Sequence, residues 1–271
     1  MNIGANIKKL REARKLTQEQ VAERVGITFQ AVSSWERDEY KPDVDNLIRL
    51  AELFDVSASA LVEEKSHGFK TKDNIYEWEH MKTFVKSAAN AFKLDNTLRA
   101  IDCAVAAHEG QTRKRSEVPY IYHPLNLACH ALAMGIHDDA VIAACLLHDV
   151  VEDCGRTPEE LPVNEETQEL VRLLTHAKTT TENRAAVLRE YYDAIAKNPK
   201  AALIKCIDRC NNITTMAWGL SRERILRMMQ ETEEYFPALL KIVKAERQYN
   251  NAAWLLQYQI ESMLEIYKRL M

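Results

Sequence analysis

Apolar residues recur at three- and four-residue intervals along most of the chain, and the strict alternation of a half-buried strand is nearly absent. The stretch "NIGANIKKLREARK" puts Ile3, Ile7 and Leu10 on one stripe of an amphipathic helix. "LTQEQVAERVG" follows, with Thr17 as N-cap ahead of Gln18 and Glu19 and with Gly26 as the stop. A third helix, within "ITFQAVSSWERDEYKP", starts only two residues later with Thr28 as its cap, and Val32 and Trp35 are core positions. "DVDNLIRLAELFDVS" and "ASALVEE" complete five short helices. Two helices joined by a tight glycine turn form a helix-turn-helix.

The periodicity fails around "KSHGFKTKDNIYEW", which has charges, a glycine and little aliphatic content. A linker at 67–78 is therefore expected between a first domain, 1–66, and a second, 79–271. The second domain is again helix after helix: "LNLACHALAMG", "AVIAACLL", "ALIKCIDRCNNITTM", then two long amphipathic helices from "ETEEYFPALLKIVKAE" onward. The first long helix is expected to pack on the core. The last, rich in Tyr and Leu and carrying Trp254, is expected to support a homodimer. The fold class is all-α.

Composition narrows this picture. Seven Gly and seven Pro in 271 residues favour helices over turn-rich β structure. A net charge of −4 gives no push toward membranes or indiscriminate nucleic-acid binding. No run approaches the ~20 apolar residues of a membrane span, and "MNIGANIKKL" lacks a signal-peptide core. The six cysteines lie mostly in apolar helical stretches without a CxxC pair, as expected of buried thiols in a reducing cytoplasm. Residues 1–66 hold ten Lys/Arg against twelve Asp/Glu, although "KKLREARK" is locally basic and 25–35 hold no acid.

"HDVVED", residues 148–153, packs a histidine and three carboxylates behind the apolar "AVIAACLL". Burying three such acids unpaired costs several kcal/mol each, in order of magnitude. In one continuous helix, Glu152 would share a face with His148, and Asp153 with Asp149. A divalent cation removes the penalty, and mixed His and carboxylate ligation suits Mn²⁺, Fe²⁺ or Zn²⁺ better than Ca²⁺. Two further groups sit equally oddly in apolar helices: His123 before Pro124, and Asp208 with Asn212 four residues on.

Residues 1–64 resemble the phage-repressor-like XRE family through "LTQEQVAERVGIT", "VSSWERDEYKPD" and "LIRLAELFDVSASAL". That resemblance implies double-stranded DNA binding, with Phe29, Gln30, Ser33 and Ser34 facing base edges and Gln18, Arg37 and Lys41 holding phosphates. His123, His148, Asp149 and Asp208 match the H…HD…D order of the HD metal-dependent phosphohydrolase superfamily. "AHEGQTRKRSEVPYIYHPL", "AACLLHDVVEDC", "LLTHAK" and "IKCIDRCNNITTM", across roughly 98–220, resemble the RelA/SpoT hydrolase domain and the small alarmone hydrolases. This implies one Mn²⁺ on the four ligands, Glu152 and Asp153 activating water, and Arg113 or Lys114 with Asn212 contacting the nucleotide. The implied reaction removes the 3′-pyrophosphate of (p)ppGpp. The chain departs from the pattern at "RKRSEVPY", one residue longer than the common form, and at Asn211, where many relatives carry His.

Three functions compete on this reading. The first is a Mn²⁺-dependent phosphohydrolase joined to a DNA-binding domain. The second is a transcriptional regulator whose HD domain senses a nucleotide without turnover. The third is an antitoxin-like interaction module. An intact ligand set with both acids favours turnover, because a sensor could lose them.

Overall fold

The structure, a computed structural model, describes residues 3–54, 56, 61–62, 77–113, 118–176, 183–216 and 220–270. The chain divides into two compact units, Met1–Asp73 and Asn74–Met271. Described elements are helical, apart from one isolated antiparallel bridge between Thr112 and Pro119.

In the first unit, α1 (Ile3–Ala13), α2 (Gln18–Val25), α3 (Phe29–Glu36) and α4 (Val44–Leu53) surround a core of Ile3, Ile7, Val21, Val32, Trp35, Leu50 and Phe54. Leu10 is only partly buried against this core. Thr17 Oγ1 accepts from the Gln20 amide, and Gln20 returns a bond to the Thr17 amide, so both orphan donors are satisfied. Gly26 closes α2 at φ 77°, and Thr28 then caps α3 through the Ala31 amide. A Cβ on Gly4 would meet Trp35 O at 2.1 Å, so only glycine lets α1 approach α3 this closely. The fifth helix expected over "ASALVEE" lies outside the described residues except at Leu61 and Val62, which are helical.

The second unit comprises α5 (Trp78–Phe92), α6 (Asp95–Ala107), α7 (Tyr122–Ala133), α8 (Asp139–Leu147), α9 (Val150–Cys154), α10 (Glu165–Leu174), α11 (Arg184–Ile195), α12 (Pro199–Thr215), α13 (Arg222–Ala245) and α14 (Asn250–Leu270). Helix α5 begins at Trp78, the last residue of the expected linker. Every residue of α8 from Ala140 to Leu147 is buried, so α8 is a central post enclosed by α6, α7, α10 and α12. Each large side chain among Val141, Ile142, Leu146 and Leu147 contributes about 1.5–3 kcal/mol by leaving water. Helix α12 crosses α7 and α8 on one side and carries the long pair α13 and α14 on the other. The functional groups gather where α7, α8 and α12 meet.

Candidate metal centre and nucleotide pocket

The expectation of one helix through "AVIAACLLHDVVED" is corrected. Helix α8 stops at Leu147, His148 and Asp149 form a turn, and α9 restarts at Val150. The physical reason is a side chain: His148 Nδ1 lies 3.0 Å from Cys145 O, the carbonyl a continuous helix would offer to the Asp149 amide. Asp153 N still bonds Asp149 O at 2.8 Å, so the second pair stays one turn apart.

His123 enters from the first turn of α7, where Pro124 needs no amide partner. Its Nδ1 lies 2.7 Å from Asn211 Oδ1. Both histidines thus present hydrogen to an acceptor at Nδ1 and leave Nε2 for a ligand. His123 Nε2 is 3.6 Å from Asp149 Oδ2 and 3.4 Å from Asp208 Oδ1. His148 Nε2 is 3.1 Å from Asp149 Oδ2 and 3.9 Å from Asp208 Oδ1. The short contact is out of line for a hydrogen bond, and the buried His148 Nε2 has no hydrogen-bond partner among the described residues.

His123, His148 and Asp149 bring one ligand atom each within 4.8 Å of one another, a cluster able to hold a divalent metal. Asp208, from the middle of α12, closes in on both histidines. The donor chemistry and the orphaned His148 Nε2 fit such an ion.

Electrostatics agree. Burial disfavours a charged His148, but Asp149 and Asp208 outweigh it and push its pKa up to about 9. Burial raises the Asp149 and Asp208 carboxyls, yet the net direction for both is down, through His148 for Asp149 and Lys205 for Asp208. The acids need a cation, and where no metal sits His148 serves Asp149 and Lys205 serves Asp208.

A cavity of about 310 Å³ opens from these ligands. Glu152 lines it, exposed, with Oε2 accepting from the His176 amide at 3.3 Å. Asp153 is exposed but is not part of that wall. Its charge instead acts on Tyr120, whose pKa is raised by burial, then by Asp149 and Asp153. Tyr120 donates to Asp149 Oδ2 at 2.7 Å. The Thr112–Pro119 bridge holds Tyr120 and Arg113 at the cavity. Asn212 Nδ2 donates to Asp208 Oδ1 at 2.6 Å, and Arg113 Nη2 donates to Asn212 Oδ1 at 3.3 Å. Arg113, Asn212 and Asp208 are therefore brought together. Lys114 lies outside the described residues.

Other wall groups were not among the sequence candidates. Lys205 Nζ lies 3.1 Å from Asp208 Oδ2 and over the Tyr191 ring. Glu231 joins Arg209 at 2.5 Å and Arg184 at 3.0 Å, and accepts from Tyr192 at 2.8 Å. Lys205, three residues before Asp208 on the same apolar helix, carried a readable signal; Arg184 and Glu231 sit in ordinary charged patterns. Among the histidines outside the H…HD…D set, His176 lines the cavity. His108 is instead buried, with Nδ1 near Gln111 and no hydrogen-bond partner at Nε2 among the described residues.

On the first unit, Phe29 and Gln30 are exposed at the start of α3, and Ser33 and Ser34 are partly buried. Arg37 pairs with Glu39 at 2.8 Å and also donates to Ser33 Oγ at 2.6 Å, while Ser34 donates to Glu39 at 2.9 Å. Gln18 Nε2 donates to Glu36 at 2.7 Å, and Lys41 is exposed.

The fold and this site define a helix-turn-helix unit joined to a helical unit with a His/Asp metal centre. The HD domain description matches residues 100–239, just over half of the sequence, and the chain belongs to that family. A helix-turn-helix description matches residues 7–61. The probable guanosine-3′,5′-bis(diphosphate) 3′-pyrophosphohydrolase of Synechocystis is 37% identical over 148 residues, covering 52% of this chain and 19% of the relative. The enzyme of the same description from Aquifex aeolicus is 35% identical over 147 residues, 52% of this chain and 20% of the relative. The bifunctional (p)ppGpp synthase/hydrolase SpoT of Escherichia coli is 29% identical over 172 residues, 61% of this chain and 24% of the relative. The chain thus spans about a fifth to a quarter of these relatives. A solved metazoan ortholog of SpoT shares the fold, with TM-score 0.51 and 23% identity, covering 64% of this chain and 95% of that one. An N-terminal helix-turn-helix domain is fused here to an HD-superfamily phosphohydrolase domain related to RelA/SpoT hydrolases. Among the described residues no helix is long and apolar enough to cross a membrane.

Proposed function

We propose that this chain is a Mn²⁺-dependent (p)ppGpp 3′-pyrophosphohydrolase whose first domain, 1–66, binds double-stranded DNA. The observation that carries the reading is the buried pair of Nε2-presenting histidines with Asp149 and Asp208, opening into a cavity lined by Glu152, Arg113 and Asn212. His123, His148, Asp149 and Asp208 would hold the ion, which supplies Lewis acidity toward a phosphoryl oxygen. Glu152 accepts the proton of the attacking water, with Asp153 beside Tyr120 supporting the acid pair. The water oxygen bonds to the phosphorus carried on the ribose 3′-oxygen, that P–O3′ bond breaks, and the 3′-oxygen takes up the proton held by Glu152, giving GDP or GTP and pyrophosphate. Arg113, with Lys114 from the adjoining segment, offsets the polyphosphate charge, and Asn212 donates to the nucleotide while orienting Asp208.

DNA contact falls to Phe29 and Gln30 at base edges, assisted by Ser33 and Ser34, with Gln18, Arg37 and Lys41 on phosphates. One such domain covers one half-site, which calls for a homodimer. The exposed, stacked Trp254 and Tyr258 of α14 support a contact there. The test is incubation of the Mn²⁺-loaded protein with ppGpp, pppGpp, their adenine analogues and 2′-phosphorylated dinucleotides, products separated by chromatography. Release of pyrophosphate from the guanosine substrates is expected. Binding without product would replace hydrolysis with nucleotide sensing.

A further inference from the structure

Asn211 stands on α12 between Asp208 and the end of the helix, yet its side chain serves α7. It is buried, at 7% exposure, and its two amide atoms are both used. Oδ1 faces His123 Nδ1 at 2.7 Å, and Nδ2 donates to Asn126 Oδ1 at 2.7 Å. His123 and Asn126 are three residues apart on α7 and so share a face. One amide from α12 therefore grips that face at two points with opposite polarity.

The polarity decides the chemistry. An amide oxygen only accepts, so His123 must carry a hydrogen on Nδ1, and the neutral ring then presents a lone pair at Nε2, toward Asp149 and Asp208. A reversed amide would donate to Nδ1 and move the hydrogen to Nε2, which would then face the carboxylates as a donor and could not ligate. Asn126 Oδ1, meeting the amide nitrogen, favours the first orientation. His148 achieves the same tautomer through the Cys145 carbonyl, which cannot be reversed. His123 has no main-chain acceptor at Nδ1 among its described hydrogen bonds and depends on a side chain.

We infer that Asn211, oriented by Asn126, is a positioning residue that fixes His123 in the metal-ligating tautomer. The inference rests on the metal-centre reading and is independent of which nucleotide is the substrate. Asn211→Leu keeps similar volume and removes the acceptor, while Asn211→Asp keeps an acceptor and loses the donor. Mn²⁺ affinity of the full chain is measured by competition with a chelator, and the tautomer of His123 by nitrogen NMR of histidine-labelled protein.

The expected result is a Mn²⁺ dissociation constant raised roughly 10–100-fold in Asn211→Leu, the usual cost of losing a partner that orients a ligand. Asn211→Asp should stay within a few-fold of the parent. Parent-like affinity in Asn211→Leu overturns the inference. If that variant does not fold, the metal-free parent decides, read at a pH where the His123 ring is neutral: hydrogen on Nδ1 before any ion binds supports the inference, and hydrogen on Nε2 overturns it. A parent chain that binds no metal would instead sink the metal-centre reading itself, a separate outcome.

Discussion

The two units treat buried charge in opposite ways. In the first, Glu36 is almost fully buried, and its oxygens are taken by Arg11 at 2.6 and 3.0 Å and by Gln18 at 2.7 Å. The set of partly buried Ser33 and Ser34 with exposed Arg37 and Glu39 is likewise satisfied internally. In the second, His148 Nε2, His108 Nε2 and Arg209 Nε are buried without hydrogen-bond partners among the described residues. Arg209 rests over the Phe236 ring, 4.6 Å from its centroid, which supplies another form of contact. His148 has no such substitute, and two carboxylates flank it. A closed network holds a shape, whereas a network left open beside a cavity waits for something to bind. The difference separates the ion pairs that build these domains from those that serve chemistry.

The largest effect should come from removing an acid of the open network. Asp149→Ala takes away a ligand charge and the acceptor of Tyr120. Metal binding and turnover should fall by more than the ~10–100-fold that even an outer partner costs. Metal analysis of the purified variant with a pyrophosphate-release assay checks this, and stoichiometric metal with full activity would remove Asp149 from the centre. Next comes Glu152→Gln, which keeps shape but cannot accept a proton. Turnover should drop about 10²–10⁴-fold with metal retained. If metal and activity are lost together, Glu152 belongs to the ligand set or to the fold.

A pH titration sharpens the contrast further. In chelator-treated protein the His148 pKa is raised from an unfolded value of ~6.5 to about 9, by carboxylates that overcome burial. The resulting stability is fully present below ~6.5 and is lost as pH rises through about 9. Asp149, depressed by His148, contributes stability above its ordinary carboxyl range and loses it toward acid. Metal-free protein should therefore melt at lower temperature at pH 9.5 than at pH 6.5. The stabilisation added by Mn²⁺ should grow over the same window, because the ion displaces the proton. A melting temperature independent of pH without metal would show that His148 is held neutral.

Much of this was readable in the chain. Thr17, Gly26 and Thr28 mark helix ends by local chemistry that tertiary structure left intact. His123, His148, Asp149 and Asp208 were conspicuous because they interrupt apolar stripes. The turn at His148–Asp149 was hidden, since "AACLLHDVVED" has no Gly or Pro to mark a break and the break comes from one imidazole taking a main-chain carbonyl. Arg184 and Glu231 were hidden for another reason: they meet across 47 residues, and each sits in a stretch that looks like a solvated face. The locking of Gln18 by Glu36 was equally out of reach of spacing arguments, because the acid lies 18 residues away on another helix, whereas Arg37 and Glu39 are near neighbours that the turn after α3 brings together.

The smallest expected effect lies in the closed network of the first unit. Glu39 places a carboxylate among residues proposed to face DNA, holding Arg37 through Nε and Nη2 and Ser34 through its hydroxyl. This pairing raises the Arg37 pKa and lowers that of Glu39, and both groups are exposed, so water and salt screen it heavily. If Glu39 only restrains Arg37, Glu39→Gln frees the guanidinium for a phosphate and removes a like charge from the DNA face. Affinity for a palindromic site from the protein's own promoter should then rise a few-fold. The slope of log affinity against log salt should steepen by about 0.9 for the phosphate gained. Fluorescence anisotropy at several salt concentrations measures both quantities. Weaker binding with an unchanged slope would reverse the reading: Glu39 would then be a base-reading acceptor, of the kind that takes a hydrogen bond from a cytosine amino group. The closed network would in that case open when DNA arrives, and the contrast between the two units would hold only for the unbound protein.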